Sequence, residues 1–487
     1  MRHNRPGIRG LGPDGCPEFT ERGLIVILNE IKGKTFGEVD IGHVFENDRG
    51  HKGIAGAVIE RSVLKYPANN EQRHDILIDG RPTEVKTTGL REKGKLYVAK
   101  EPVTITAVGL ENISKEKFEQ SHFWDKAAQI LFIFYLYKSA AKVEYKEYAR
   151  FPILDYLIYT PNPQVKEIMK ADWECIRQFI VMIQREYDDP KQEYPRLSYE
   201  LRENLVVLDT APKYPRSPRF RFKRSYVDYI VQTHFNMRKL EHLSLEFNRY
   251  TELDNECERL TTLYGGRAIG DISAEFGIFN ITKNASEQVL VRMFGGKSKK
   301  LSRIEQFTEC SVICKSVVMT YKEKYTECCK LYTVDFDEML DPNISDFSDS
   351  YLYEYLVNHQ FLIALFQEPY DKCDFSENQF LGFKRISLPD DALEHARKCW
   401  SDLRDTVFSK QLTEKIVRNK DGKPITNKCG TIRTSVNFPK AKDHMIFLRG
   451  TSSNSARKTV VVEDIKVYPT QIWIKGQYLL DIIKERY

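Results

Sequence analysis

The sequence predicts an α/β chain of mixed α+β type, built from two tandem domains of one kind. Three observations predict it. The chain has 487 residues, too many for one ordinary domain and suited to two or three. Each half alternates apolar strand-like runs with helical patterns. Finally, the sequence repeats itself at a distance of about 230 residues, a period that signals duplicated domains rather than a solenoid.

The matching segments occur in the same order in both halves. Gly33-Lys-Thr-Phe-Gly-Glu-Val39 returns as Gly266-Arg-Ala-Ile-Gly-Asp-Ile272. Lys52 to Arg61 is echoed by Lys283 to Arg292, and Thr83 to Thr87 by Val312 to Ser316. The apolar strand Ile130 to Phe134 has its counterpart in Phe361 to Phe366, and a helix carrying Trp173 in one carrying Trp400. Near each end, Phe222-Lys-Arg-Ser-Tyr226 resembles Ile474-Lys-Gly-Gln-Tyr478. These matches place a first domain at 1–235, a charged helical linker at 236–260 and a second domain at 261–487.

Composition narrows the class. With 41% hydrophobic and 12% aromatic residues, the chain can bury sizeable cores and is not disordered by default. The N-terminal stretch Met1 to Cys16 is polar and lacks an apolar signal core. The most apolar run, Ala128 to Tyr137, is too short to span a bilayer and suits a buried strand. The expected setting is therefore the cytoplasm, without a membrane partner. The ten cysteines form no even framework and no zinc spacing, so reduced thiols are expected. No histidine pair at zinc-ligand spacing, phosphate-binding loop or nucleophile elbow is present. A net charge of +5 decides nothing until its location is known.

Asp75-Ile-Leu-Ile-Asp-Gly-Arg-Pro-Thr-Glu-Val-Lys86 reads as a hairpin with its turn at Asp79 to Pro82. Alternation along the second strand puts Glu84 and Lys86 on one face and Val85 on the other. Asp75 can lie beside them. Two carboxylates next to an ammonium suit phosphodiester cleavage, because carboxylates hold a hard ion such as Mg2+ and a lysine can orient water. A solvated strand edge of mixed charge accounts for the same residues. Glu60, on a helical stretch upstream, could add a carboxylate. Downstream, Lys213, Arg219, Arg221, Lys223 and Arg224 fall in a run without acids, interleaved with Phe220 and Phe222. On a strand, that pattern offers cations to phosphates and bases while the rings face the core.

Taken in order, Lys52-Gly, Glu60, Asp75…Glu84-Val-Lys86, Ser121-His-Phe-Trp-Asp-Lys126, Asp172-Trp-Glu174 and Phe222-Lys-Arg-Ser-Tyr226 resemble the MutH family. Two such domains in one chain resemble the Sau-type restriction endonucleases, in which the second domain is a catalytically dead effector. The resemblance implies the PD-(D/E)xK nuclease fold, with Glu60, Asp75, Glu84 and Lys86 catalytic and Lys126 assisting. It implies Asp75, Glu84 and Val85 at a Mg2+ site, and Lys52 at the DNA. The interval from Asp75 to Glu84 is two residues longer than usual for the family, which leaves Asp79 as a rival to Asp75.

In the second half, Glu60 is replaced by Val291, Glu84 by Ile313 and Lys126 by Val357, while Lys283, Lys315 and Lys475 persist. With Arg449, Lys283 and Lys475 are the candidate DNA contacts of that half. The function implied is a bacterial type II restriction endonuclease cutting duplex DNA at a short palindrome, GATC by resemblance. A second DNA site would lie on the C-terminal domain. The chain is expected to be monomeric or transiently paired on DNA, alongside a cognate DNA methyltransferase. A mismatch-repair nicking enzyme and a DNA-binding regulator that does not cut are the alternatives.

Overall fold

The computed structural model describes residues 8–12, 15–47, 53–66, 73–139, 143–211, 218–279, 281–323, 326–452 and 457–485. The chain divides into two compact units, Met1–Leu253 with Ser302–Ser311, and Asp254–Leu301 with Val312–Tyr487. Both units are mixed α/β.

The first unit contains β1 (Ile8–Leu11), β2 (Pro17–Phe19), β3 (Ile76–Ile78), β4 (Arg81–Lys93), β5 (Leu96–Ala99), β6 (Val103–Ala107), β7 (Ile130–Leu136) and β8 (Ile153–Tyr159). Its main sheet runs β1-β2-β3-β4-β7-β8, with β5 paired to β4. All seven residues of β7 are buried, as expected for a strand covered on both faces. β7 is parallel to β4 and antiparallel to β8. Two residues with positive φ, Asp79 (45°) and Gly80 (78°), close the β3–β4 hairpin. That backbone matches the right-handed twist of the strands it joins.

Helix Glu21–Ile31 and the helical segment from Ile54 cover one face of this sheet. Leu24, Leu28, Ile54 and Val58 pack there against Val85, Leu131 and Ile133. Helix Pro163–Glu186 begins at an Asn162 cap followed by Pro163 and buries Ile168, Trp173, Ile176 and Ile180 along one stripe. A smaller sheet orders β6 beside β10 (Arg219–Phe222), with β9 (Leu208–Ala211) on its other edge. Asp172 staples the long helix to β9, accepting from the amides of Val206, Val207 and Leu208, each at 2.8 Å.

The second unit contains β11 (Val312–Met319), β12 (Cys329–Thr333), β13 (Gln360–Gln367), β14 (Gln379–Ile386), β15 (Glu414–Ile416), β16 (Thr434–Val436), β17 (Ile446–Gly450), β18 (Val460–Val462), β19 (Ile465–Val467) and β20 (Thr470–Ile474). β11 is parallel to β13, which is antiparallel to β14. Helix Asp390–Phe408 buries Trp400 and Leu403 against them. The registers of the two units agree with the sequence echo. Glu84 and Lys86 sit opposite Ile130 and Phe132, as Ile313 and Lys315 sit opposite Phe361 and Ile363.

The expected helical linker at 236–260 is corrected. Residues 237–249 carry no helix, and Leu243 and Phe247 are buried within the first unit. A helix runs only over Tyr250–Tyr264. The apolar residues inside the segment outweigh its surface charge, so the chain packs instead of spanning.

Candidate active site

Glu60 stands on a single six-residue π-helical stretch, Ile59–Leu64, which ends at Lys65 with φ 60°. Such widened turns re-aim side chains and recur at functional sites. Asp75 precedes β3; its amide donates to the carbonyl of Thr83 at 3.2 Å and its Oδ2 accepts from Val85 N at 2.8 Å. These bonds hold Asp75 against the start of β4. Glu84 is 3% exposed. Its Oε1 accepts from Lys86 Nζ at 2.7 Å, and Lys126 Nζ lies 3.2 and 3.0 Å from its two carboxylate oxygens. Lys126 comes from helix His122–Ala127, whose first turn is capped by Ser121.

The carboxylates of Asp75 and Glu84 and the ammonium groups of Lys86 and Lys126 thus gather near the N-terminal end of β4, with the Glu60 carboxyl within electrostatic reach of Asp75, Lys86 and Glu84. Burial, reinforced by the charge of Asp75, lifts the Glu60 carboxyl to about 7. Burial and then Glu84 raise Asp75. Burial pulls the Lys86 ammonium down, but Glu84 and Asp75 outweigh it and hold it above its ordinary value. Asp79 sits apart, in the hairpin turn, where its Oδ2 accepts from Glu21 N at 3.1 Å. Of the two rival aspartates, Asp75 is the one beside Glu84.

The donor set suits a hard cation. Asp75 and Glu84 offer carboxylate oxygens, and Val85 between them has its amide tied to Asp75. Among the described residues no three His, Cys, Asp or Glu side chains converge into a cage. Tyr66 supplies a further observation. It is 4% exposed, its hydroxyl has no hydrogen-bond partner among the described residues, and burial and the charges of Asp75, Glu60 and Glu84 hold it protonated. A buried orphan donor beside three carboxylates is a natural partner for a water or substrate oxygen.

The sequence pattern missed three residues here. Tyr66 follows the π-helical stretch as an isolated aromatic, with no spacing to mark it. His74 and Asp125 precede Asp75 and Lys126. Asp125 Oδ2 lies 3.2 Å from both the backbone amide and Nδ1 of His74. Fifty-one residues separate them in sequence, and adjacency to the two candidate residues was the only available signal.

The expected DNA-facing residues divide. Lys52 and Lys213 lie outside the described residues, and Lys283 opens helix Lys283–Met293. Lys223 is corrected: it is 1% exposed, donates to the carbonyl of Leu205 and lies 6.0 Å from the Tyr250 ring centroid. The alternation expected for β10 stops at Phe222, so Lys223 turns inward ahead of helix Arg224–His234. Arg221 is half-buried in a two-bond pair with Asp209 at 2.7 and 2.8 Å. Arg224 donates to Ala99 O at 2.7 Å. Arg219 is exposed, as is Arg449, which lies over the Trp473 ring, and Lys475 is half-buried.

At the corresponding positions of the second unit, Val291 is fully buried and Ile313 partly so. A carboxylate remains at Glu287. It accepts from Leu301 N at 3.1 Å; burial raises its pKa, opposed by Lys300 and Lys315. Burial, then the neighbouring charges of Lys315 and Lys300, lower the Lys330 ammonium. Cations outnumber carboxylates here, the reverse of the first unit.

Residues 64–172 match the family model described as DNA mismatch repair enzyme MutH. This span contains Asp75, Glu84, Lys86 and Lys126. The chain is also similar to the type II restriction enzyme Sau3AI of Staphylococcus aureus. They are 22% identical over 377 residues, covering 71% of this chain and 73% of the relative.

Proposed function

We propose, for a chain that belongs to the MutH-like restriction endonuclease family, Mg2+-dependent hydrolysis of duplex DNA at a short palindrome, GATC by its likeness to the Sau-type enzymes. The observation that carries this reading is the cluster of half-buried Glu60 and Asp75 with buried Glu84, half-buried Lys86 and buried Lys126. Asp75 and Glu84 would hold the ion, with Val85 between them. Mg2+ at such a site neutralises charge building on the phosphate and lowers the pKa of a bound water.

The chain's own residues do the rest. Lys86, kept protonated by its carboxylate neighbours, orients the attacking water and donates to the developing negative charge. Glu60, with its carboxyl at about 7, is poised to take the water's proton near neutral pH. The water oxygen bonds to phosphorus, the ester oxygen departs, and Lys126 lies within reach to stabilise that charge. The walls around Glu84 exclude bulk solvent, which strengthens each of these interactions.

The second unit is read as a degenerate copy that binds a second duplex. The matched registers, the hydrocarbon at Val291 and Ile313, and the retained Lys315 support this. Among its described residues it carries no equivalent carboxylate set for cutting. A mismatch-repair nickase is the nearest alternative, and it predicts single-strand nicks.

Incubating unmethylated and methylated plasmid with Mg2+ or with chelator tests the reading. Double-strand breaks are expected with Mg2+ alone, and Glu84→Ala or Lys86→Ala should lower the rate by about 10³-fold. Cutting that survives chelation, or a fully active Glu84→Ala protein, would defeat the proposal. A protein that binds DNA without any product would be a regulator.

A further inference from the structure

Most of the second unit is packed, but the segment between Leu412 and Pro439 is not. None of residues 413–438 is buried. β15 and β16 form its base, pairing Glu414 with Val436 and Ile416 with Thr434. Beyond them the chain folds into two further turns, with bridges Arg418 to Pro424 and Thr426 to Ile432. Gly422 (φ 79°) and Gly430 (φ 82°) permit those turns. Backbone bonds Val417 N to Arg433 O, Ile425 N to Val417 O and Arg433 N to Ile425 O tie the three segments together, at 2.8–2.9 Å.

An arm with defined backbone pairing and no apolar core of its own contributes little to the stability of its unit. Its composition is one-sided. Residues 413–438 hold six lysines and arginines against Glu414 and Asp421, an excess of four in a chain whose net charge is +5. Outside this segment the chain is close to neutral. Glu414 is already paired with Lys458. Concentrating positive charge on a solvated projection is the footprint of a polyanion-binding surface.

The base of the arm borders a cleft of about 630 Å³. Arg433, Lys440, Arg449 and Lys458 line it, with Phe438 and Tyr468, and no acidic residue is part of its wall among the described residues. Arg449, the exposed cation of β17, therefore belongs to the same surface as the arm.

We propose that the arm 414–436 and its adjoining cleft grip the sugar-phosphate backbone of duplex DNA on the second unit. The assignment rests on the DNA-acting reading above. The cations of the arm would displace condensed counterions from the duplex, and Arg433, Lys440 and Arg449 would receive a phosphate run in the cleft. The contact is independent of sequence. It fixes the duplex without reading it.

The test is the salt dependence of duplex binding by the full-length protein, measured by fluorescence anisotropy in chelator so that nothing is cut. In one variant, Lys415, Arg418, Lys420 and Lys423 are all changed to Gln. A second carries only Arg449→Gln. Each lost phosphate contact lowers the slope of log affinity against log salt by about 0.9. The fourfold variant should lose about two units or more of slope, and Arg449→Gln about one. Circular dichroism should be unchanged, since the replaced residues are exposed. If both variants bind with the wild-type slope, the arm assignment is wrong even though the protein binds DNA. Failure of the wild-type protein itself to bind duplex would instead remove the DNA-acting reading together with the arm.

Discussion

Single residues at the candidate active site are held against their ordinary ionisation. Glu60 keeps its proton up to about 7 in the folded protein, against 4.5 ordinarily. Between those values the folded state binds more protons than the unfolded state. Stability from this group is therefore fully present below about 4.5 and declines as pH rises through 7. Glu60→Gln removes the charge and keeps the shape. In chelator, its melting temperature should exceed that of wild type at pH 8, and the gap should close toward pH 5. An equal gap at both pH values would show that burial does not strain Glu60. Part of the site was legible in the sequence: alternation put Glu84 and Lys86 on one face, while the choice between Asp75 and Asp79 stayed open until the structure placed Asp75 against the start of β4. The burial that shifts Glu60 was not, because it depends on a π-helical turn and on side chains distant in sequence. Lys223 was misread for a similar reason. Its neighbours alternate, but the strand ends one residue before it.

Elements set the spacing between these residues. β4 brings Glu84 and Lys86, the segment before β3 brings Asp75, and helix His122–Ala127 brings Lys126. The Asp125 carboxylate joins two of these elements through the amide and ring of His74. The His74 bond holds that carboxyl below the usual carboxylate range, so it stays ionised. On the proposed reading, Asp125 would be a positioning residue that holds the segment of Asp75 against the helix of Lys126. Asp125→Ala should lower kcat about tenfold with KM unchanged, as losses of supporting hydrogen bonds around ligands typically do. Asp125→Asn, which retains an accepting oxygen, should recover most of the rate. Equal loss in both variants would refute the bridge as the cause. The strands themselves were readable from their apolar runs, and the β3–β4 hairpin from its turn. The bridge was not, because no local pattern links residues 51 apart.

For the whole molecule, the proposed division is one cutting cluster in the first unit and a second unit that binds. A palindrome must be cut on both strands, so a chain with one such cluster must pair transiently or nick twice. If the second unit holds another duplex, plasmids with several sites should be cut faster per site than plasmids with one, through looping. An uncleavable duplex added in trans should restore the rate on the single-site plasmid. Equal rates per site, unaffected by added duplex, would leave the second unit as scaffold. The internal echo led to an expectation of two domains; the chain divides into two compact units, and β4 pairs in parallel with β7 as β11 does with β13, while descent of both units from one domain stands as a proposal. The boundary was less legible. Residues 302–311 belong with the first unit, since compactness follows contacts and not chain order.

The sequence by itself determined the class of fold, the strands that build it and the kinds of side chain available for chemistry. Those properties follow from local periodicity, turn residues and composition, which every stretch of chain carries within itself. Only the tertiary structure decided which of those side chains meet, which are buried enough to change their ionisation, and where the surplus positive charge projects. Contact, dielectric and exposure arise from segments far apart in the chain, and no window of sequence contains them.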